Sequence, residues 1–219
     1  MFKYLYGKKE YLDDFIQGRQ GLRYSDIAHY SIMENEKMRD DELAKKFVFD
    51  KNNVVIQIND FKLDPNNMAD NPFITLSPPR CFCACFSGKK NDPDLYERFK
   101  ADVCLEIDID KLVELLTVAA SNLSGMAVVH RDVTYYPGVM SAPVPDLESA
   151  LFYKPDVYSI EDEYRVALTV PPHRKAFMSS EGVRVEMFSD DPGDLRHLFI
   201  NSNEPGMNGY YLESVSYRP

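Results

Sequence analysis

The segment Tyr158-Ser159-Ile160-Glu161-Asp162-Glu163-Tyr164-Arg165-Val166-Ala167-Leu168 predicts a strand that begins with acidic residues and continues with apolar ones. Alternate side chains of a strand point to the same face of the sheet, so we expect Glu161, Glu163 and Arg165 to share one face. Two carboxylates and a guanidinium at the start of a strand form either a functional site or a structural ion-pair network. The sequence leaves both interpretations open.

The segment Cys81-Phe82-Cys83-Ala84-Cys85-Phe86-Ser87 predicts a second strand, in which three thiols share one face. Neighbours at i and i+2 of an extended strand lie too far apart for an easy disulfide. We therefore interpret these cysteines as reduced residues that fill the core. Their spacing, with Cys104 included, matches none of the usual Cys-x-x-Cys zinc motifs, and no metal is expected.

The composition is that of an ordinary globular protein. The 219 residues are 44% hydrophobic and 27% charged, and they are expected to form one domain, residues 1–219. The formal net charge of -10 argues against general electrostatic binding to nucleic acids or to anionic lipids. No apolar stretch approaches the roughly 20 residues of a membrane-spanning helix, and none near the N-terminus resembles a signal peptide. These patterns predict a cytoplasmic protein without membrane association.

Hydrophobic periodicity predicts many short strands, with the helices clustered in the N-terminal two-thirds of the chain. This arrangement predicts an α+β fold with a mostly antiparallel, mixed sheet. No glycine-rich phosphate loop follows a strand, which argues against the dinucleotide-binding folds that depend on such a loop. The predicted helices are 10–17, 35–47, one starting at 91–93, 110–122 and 146–153. The predicted strands are 2–6, 21–25, 53–58, 81–87, 103–109, 126–130, 133–136, 163–170, 183–188 and 210–217.

Two polar segments are predicted to have no special role. The acid run Asp40-Asp41-Glu42 is typical of a solvated helix start, where carboxylates interact favourably with the helix dipole. The segment 203–209 has the composition of a plain turn, with a mobile lid as the alternative.

Several blocks of the sequence resemble those of a known family. They are Leu22-Arg23-Tyr24-Ser25, then Cys85-Phe86-Ser87 ahead of Asn91-Asp92-Pro93-Asp94-Leu95-Tyr96-Glu97-Arg98-Phe99, and last Lys154-Pro155-Asp156-Val157-Tyr158-Ser159-Ile160-Glu161-Asp162-Glu163-Tyr164-Arg165. In this order they resemble a large bacterial and phage family of unknown function that is related to abortive-infection proteins. Tyr96, Phe99 and Tyr158 stand where that family has tryptophan, tyrosine and tryptophan. The resemblance implies a component of phage defence or a toxin.

The order of elements is also similar to that of the ADP-ribosyltransferase fold, which implies NAD as the substrate. In that fold an early strand offers an aromatic, His or Arg residue to NAD, and Tyr4 holds this position here. A later strand braces the nicotinamide pocket, and Tyr24 or Ser87 would supply that contact. A late strand begins with Glu-x-Glu, so the resemblance makes Glu163 the main catalytic residue and Glu161 its assistant.

The chemistry that this resemblance implies needs an acid on the late strand. Cleavage of the nicotinamide–ribose bond develops positive charge on the ribose, which a nearby carboxylate stabilises. Glu163 would supply that carboxylate, and Glu161 would act as a base toward the incoming nucleophile. Arg165 belongs to the expected NAD-binding set. The expected target is a protein or a nucleic acid.

Each of these residues also has a purely structural interpretation. Glu163 and Arg165 pair with neighbours across the sheet, Ser87 ends a strand, and Tyr4 and Tyr24 pack with a hydrogen-bonded hydroxyl. The alternative function is a non-catalytic module on the same scaffold that binds a nucleotide-like ligand or a protein partner. A nuclease is disfavoured, because the net charge is negative and no Asp…Glu-x-Lys arrangement stands out.

Overall fold

The computed structural model describes residues 1–32, 41–123, 125–141, 143–191, 193–201 and 206–218. No helix in these ranges is long and apolar enough to cross a membrane. The α-helices are α1 (Lys9–Ile16), α2 (Pro93–Arg98), α3 (Ile109–Ser121) and α4 (Leu147–Ala150). Short 3-10 helices span Ile27–Ile32, Pro65–Asn67, Asp156–Glu161 and Met207–Tyr210. The strands are β1 (Phe2–Gly7), β2 (Arg23–Asp26), β3 (Lys45–Val48), β4 (Gln57–Ile58), β5 (Phe61–Lys62), β6 (Phe73–Leu76), β7 (Cys81–Ser87), β8 (Val103–Asp108), β9 (Ala127–Asp132), β10 (Thr134–Tyr136), β11 (Tyr153–Pro155), β12 (Glu163–Thr169), β13 (Ala176–Met178), β14 (Arg184–Glu186), β15 (His197–Phe199) and β16 (Leu212–Tyr217).

The largest sheet in the described ranges has eight strands and forks at β7. One edge of β7 pairs with β12 along its whole length, and β9 pairs with the far side of β12. The other edge of β7 is shared by two strands. Ser25 of β2 lies opposite Cys83, and Tyr4 of β1 lies opposite Ser87. The β2 arm continues to β15 and the β1 arm to β8 and β16, all antiparallel. The two arms therefore diverge along residues 84–86, for which no strand partner is described on that edge.

One face of this sheet forms the main hydrophobic core. The alternate residues Phe82, Ala84 and Phe86 of β7 pack there, together with apolar side chains of β8 and β12. Helices α1 and α3 contribute to the same cluster, α3 through residues such as Leu112 and Leu116 that recur on one helical face. The opposite face of β7 presents its cysteines, which are free, to a smaller cluster around residues 151 and 152.

The prediction of an α+β fold with a mostly antiparallel sheet is confirmed, and β10 with β11 forms a parallel pair. The cysteine strand and the late strand from Glu163 are both present. Two helix limits differ from the prediction. Helix α3 is capped by Asp108, whose side chain accepts a hydrogen bond from the Asp110 N–H, so the cap lies two residues before the expected one at Asp110. The helix expected at 146–153 ends at Ala150, and Tyr153–Pro155 is a strand.

The helix predicted over 35–47 is wrong at its C-terminal end. Residues 33–40 lie outside the described ranges, and Lys45–Val48 is strand β3, which pairs with β6. Lys45 and Phe47 are buried while Lys46 is exposed, so burial alternates with the period of a strand. The strand expected at 53–58 is reduced to Gln57–Ile58. In the segment 203–209, residues 203–205 lie outside the described ranges, and Met207–Tyr210 is a 3-10 helix.

The packing of α3 gives a direct test of this core. Leu116 is buried on the core side of the helix, whereas Val118 on the same helix is 63% exposed. We expect Leu116→Ala to lower the free energy of unfolding by about 2–5 kcal/mol, because it removes buried methyl groups and leaves a cavity. Val118→Ala should change it by less than about 0.5 kcal/mol. Urea unfolding of both variants measures the difference, and equal effects would contradict the assignment of the buried face.

Candidate functional site

A cavity of about 630 Å³ lies at the fork of the large sheet. Its walls come from β1, β2 and the second half of β7, the three strands that meet where the arms diverge. Because residues 84–86 have no described partner on that edge, the divergence leaves a gap that side chains only partly fill. The volume is within the range of pockets that bind small molecules and nucleotide-sized ligands, roughly 300–1,000 Å³.

The strand register brings distant residues into one polar row on the cavity side of the sheet. Ser214, Glu106, Tyr4, Ser87 and Glu163 lie opposite one another on five successive strands. Residues directly opposite in antiparallel strands share a face. Three of the predicted site residues, from positions 4, 87 and 163, are therefore neighbours although they are far apart in the sequence.

Four of the six predicted site residues line the cavity. They are Tyr4, Ser87, Glu161 and Glu163. Arg165 does not line it, and its fully buried side chain lies behind Glu163. Tyr24 does not line the cavity either. Neighbouring residues of a strand point to opposite faces of the sheet. Because Arg23 and Ser25 line the cavity, Tyr24 between them points to the other face and packs in the main hydrophobic cluster.

Glu163 is held by two cations. Arg165 Nε donates to Glu163 Oε1 at 2.7 Å, and Lys154 Nζ donates to Glu163 Oε2 at 3.0 Å. Burial alone would raise the pKa of the Glu163 carboxyl, but the charges of Arg165 and Lys154 outweigh it and lower that pKa to about 2. Glu163 is therefore ionised at neutral pH, with the charge that stabilisation of a developing cation requires.

Glu161 shares the lysine with Glu163. Lys154 Nζ donates to Glu161 Oε2 at 2.7 Å, and Arg98 Nε from α2 donates to Glu161 Oε1 at 2.8 Å. Burial lowers the pKa of the Lys154 ammonium, but Glu163 and Glu161 outweigh it and the pKa lies well above its ordinary value. Lys154 is therefore a permanent positive charge between the two predicted catalytic acids.

Glu42 completes the network and was missed as a site residue. It was expected to be solvated, but its side chain is fully buried and accepts both guanidinium ends of Arg165, at 2.9 and 2.8 Å. Lys45 Nζ also donates to Glu42, at 2.6 Å. Arg165 donates further to the Leu151 carbonyl, so its guanidinium is surrounded by acceptors. Burial would raise the pKa of Glu42, but Arg165 and Lys45 hold it well below its ordinary value.

The hydroxyl of Ser87 has a structural role in this arrangement. It donates to the Glu161 carbonyl at 2.7 Å and accepts from the Lys89 N–H at 3.1 Å. Gly88 N–H also donates to the Asp162 carbonyl, and a Cβ on Gly88 would lie 2.2 Å from the Asp162 carboxylate. The turn after β7 therefore fixes the backbone immediately before Glu163. Ser87 thus ends strand β7, as its structural interpretation predicts, and it also lines the cavity.

The cavity wall carries two cations without an ion-pair partner, and a polar atom without a hydrogen-bond partner, among the described residues. Arg23 and Lys100 line it, and neither forms an ion pair within the described residues. His29 also lines it, and its Nδ1 is buried without a hydrogen-bond partner in the same part of the chain. Burial and the charge of Arg23 lower the pKa of His29, which favours the neutral imidazole at pH 7. These groups are free to contact an anionic, hydrogen-bonding ligand.

No protein-family model, no curated protein and no solved structure matches this chain. The resemblances to the abortive-infection relatives and to the ADP-ribosyltransferase fold therefore stay predictions. Among the residues that the structure describes, no cluster of three or more His, Cys, Asp or Glu side chains could hold a metal ion.

The buried position of Glu42 can be tested by stability. Glu42→Gln keeps the shape of the side chain but removes the buried carboxylate that accepts from both Arg165 and Lys45. We expect it to lower the free energy of unfolding by about 3–5 kcal/mol, the usual cost of removing one partner of a buried ion pair. The matched control is Glu181→Gln at an exposed position, which should be nearly neutral. A loss in Glu42→Gln no larger than in the control, measured by urea unfolding, would rule out the buried pairing.

The lowered pKa of Glu163 predicts a specific acid sensitivity. A carboxyl whose pKa is depressed by folding stabilises the folded state above its ordinary pKa of 4.5, and this contribution disappears as pH falls toward about 2. We therefore expect the free energy of unfolding to fall between about pH 5 and pH 2. The fall should be shallower in Glu163→Gln, which cannot take up that proton. Urea titrations across this pH range measure both slopes, and parallel curves would contradict the assignment.

Proposed function

We propose that this chain is an ADP-ribosyltransferase-like protein that binds NAD in the fork cavity. The observation that supports it is the convergence of Tyr4, Ser87, Glu161 and Glu163 on one cavity of about 630 Å³. These residues come from three parts of the sequence that are more than 70 positions apart. A sheet that forks beside the late acidic strand supplies the cleft that such a reaction needs.

The charge of the cavity wall supports an anionic ligand such as NAD. The two acids of the wall are neutralised by Lys154, Arg98 and Arg165, whereas Arg23 and Lys100 have no acidic partner in the described residues. The wall is therefore net positive in a protein whose formal charge is -10. A diphosphate group would complement these cations, and the unpartnered Nδ1 of His29 offers a hydrogen bond.

In this proposal Glu163 stabilises the positive charge that develops on the ribose as nicotinamide leaves. Its carboxylate is ionised at neutral pH and is oriented by Arg165 and Lys154. Glu161 accepts a hydrogen bond from the same Lys154 and would help to position the nucleophile. Together with the resemblance to abortive-infection relatives, this chemistry supports a role in phage defence or as a toxin, with a protein or nucleic acid as the modified target.

A second candidate is a module that binds the nucleotide without turning it over. The observation in its favour is that both carboxylate oxygens of Glu163 are already engaged, Oε1 by Arg165 and Oε2 by Lys154. A ribose hydroxyl would have to share Oε2 with Lys154. The two candidates use the same cavity and differ only in the cleavage of the nicotinamide–ribose bond.

The experiment measures NAD binding and nicotinamide release by the purified protein. We expect NAD to raise the melting temperature and nicotinamide to be released, with the release falling about 100-fold or more in Glu163→Gln. Because that variant removes a carboxylate shared by two buried cations and could weaken the fold, Arg23→Ala is tested in parallel. Arg23 is exposed, so the fold should persist while NAD binds about tenfold more weakly.

The control is Lys62→Ala, which removes an exposed charge that does not line the cavity. Binding without release in the wild type would favour the second candidate. No change in melting temperature and no release, with a folded wild-type protein, would overturn the proposal.

A further inference from the structure

A second cavity lies at the opposite end of the late strand from Glu163. It occupies about 420 Å³ beside Pro171, just after β12, and Gly125, just before β9. Strands β12 and β9 pair up to Thr169 opposite Ala127, so these two flanking residues meet where the pair ends. Glu163 at the fork cavity and Pro171 at this cavity lie at opposite ends of β12, which is seven residues or roughly 20 Å long.

The wall of this second cavity is basic. Its charged lining residues are Arg174, Lys175 and Arg184, with His173 beside them, and no acid lines it in the described part of the chain. Arg184 is partly offset by Glu186, whose carboxylate lies 2.9 Å from its Nε. Arg174 and Lys175 form no ion pair within the described ranges, although acids outnumber Lys and Arg by 35 to 25 in the sequence.

The backbone around the cavity is organised by hydrogen bonds. The Arg174 N–H donates to the Pro171 carbonyl and closes the turn that carries Arg174 and Lys175. The hairpin of β13 and β14 follows, and it places Arg184 opposite Met178. Gly125 has a φ of +84°, and a Cβ there would lie 2.8 Å from the ring of Pro171, so a larger residue would press into the cavity wall.

We propose that this cavity is a binding site for a phosphate or diphosphate group of a small molecule. Arg174 and Lys175, which have no ion-pair partner in the described residues, and the partly compensated Arg184 match the charge of about -2 that a phosphate monoester carries at neutral pH. The arginines supply the planar N–H pairs that bind phosphate oxygens in bidentate fashion. The site is separate from the fork cavity, and its existence does not depend on NAD binding there.

The test is a titration of the ¹⁵N-labelled protein with inorganic pyrophosphate at constant ionic strength, followed by amide chemical shifts. The amides of Gly125, Ala176 and Arg184 should shift and saturate. In the variant Arg174→Ala/Lys175→Ala the dissociation constant taken from these three amides should rise at least tenfold. Reading the constant from these amides keeps the result distinct from any binding of pyrophosphate in the fork cavity.

The matched control is Lys46→Ala/Lys62→Ala, which removes two exposed cations that do not line this cavity. It should leave the dissociation constant unchanged. An equal loss in the control would assign the effect to overall charge and overturn the site. Shifts reproduced by chloride at the same ionic strength, or a single-stranded oligonucleotide binding there while pyrophosphate does not, would also overturn it.

Discussion

The ion pair between Arg165 and its two carboxylates, Glu42 and Glu163, is the interaction on which the arrangement of the site depends. All three side chains are at most 4% exposed, so each buried charge is compensated only while its partners stay in place. Removing any one would leave a charge in a medium that solvates it poorly. The pair therefore joins the segment at Glu42 to the late strand of the sheet. It also holds the carboxylate of Glu163 at the wall of the fork cavity.

The fork of the sheet is the second constraint. Strand β7 is shared by β12 along one edge and by β1 and β2 along the other, and the divergence of these two arms opens the cavity. Because Tyr4, Ser87 and Glu163 lie in one row across the strands, the hydrogen-bond register alone brings them together. The cations beside the row then keep the Glu163 carboxylate ionised, and Arg23, which forms no ion pair within the described residues, adds positive charge to the wall. The strand register, the divergence of the two arms and the network of buried ion pairs therefore all bear on the same part of the sheet, around Glu163.

Much of the local structure could be predicted from the sequence because its signals are local. The alternation of cysteines with apolar residues predicts β7, and the acidic start followed by Tyr164, Val166 and Leu168 predicts β12. Glu42 could not be found in this way. It stands in an acid run, and its partner Arg165 lies 123 positions further along the chain. The charged residues of this segment, with Leu43 and Phe47 as inward positions, favour a helix, and the alternating burial that marks β3 from Lys45 onward is seen only in the structure.

The sequence by itself therefore determined the fold class, the main strands and which side chains share a face of each strand, since these follow from periodicity within a few residues. Only the tertiary structure decided that Tyr24 packs in the core, that Glu42 is buried and that the sheet forks beside Glu163. These outcomes depend on which strands become neighbours and in what register. Strand neighbours and register depend on packing and charge pairing between residues that are distant in the chain, so a local sequence pattern does not predict them.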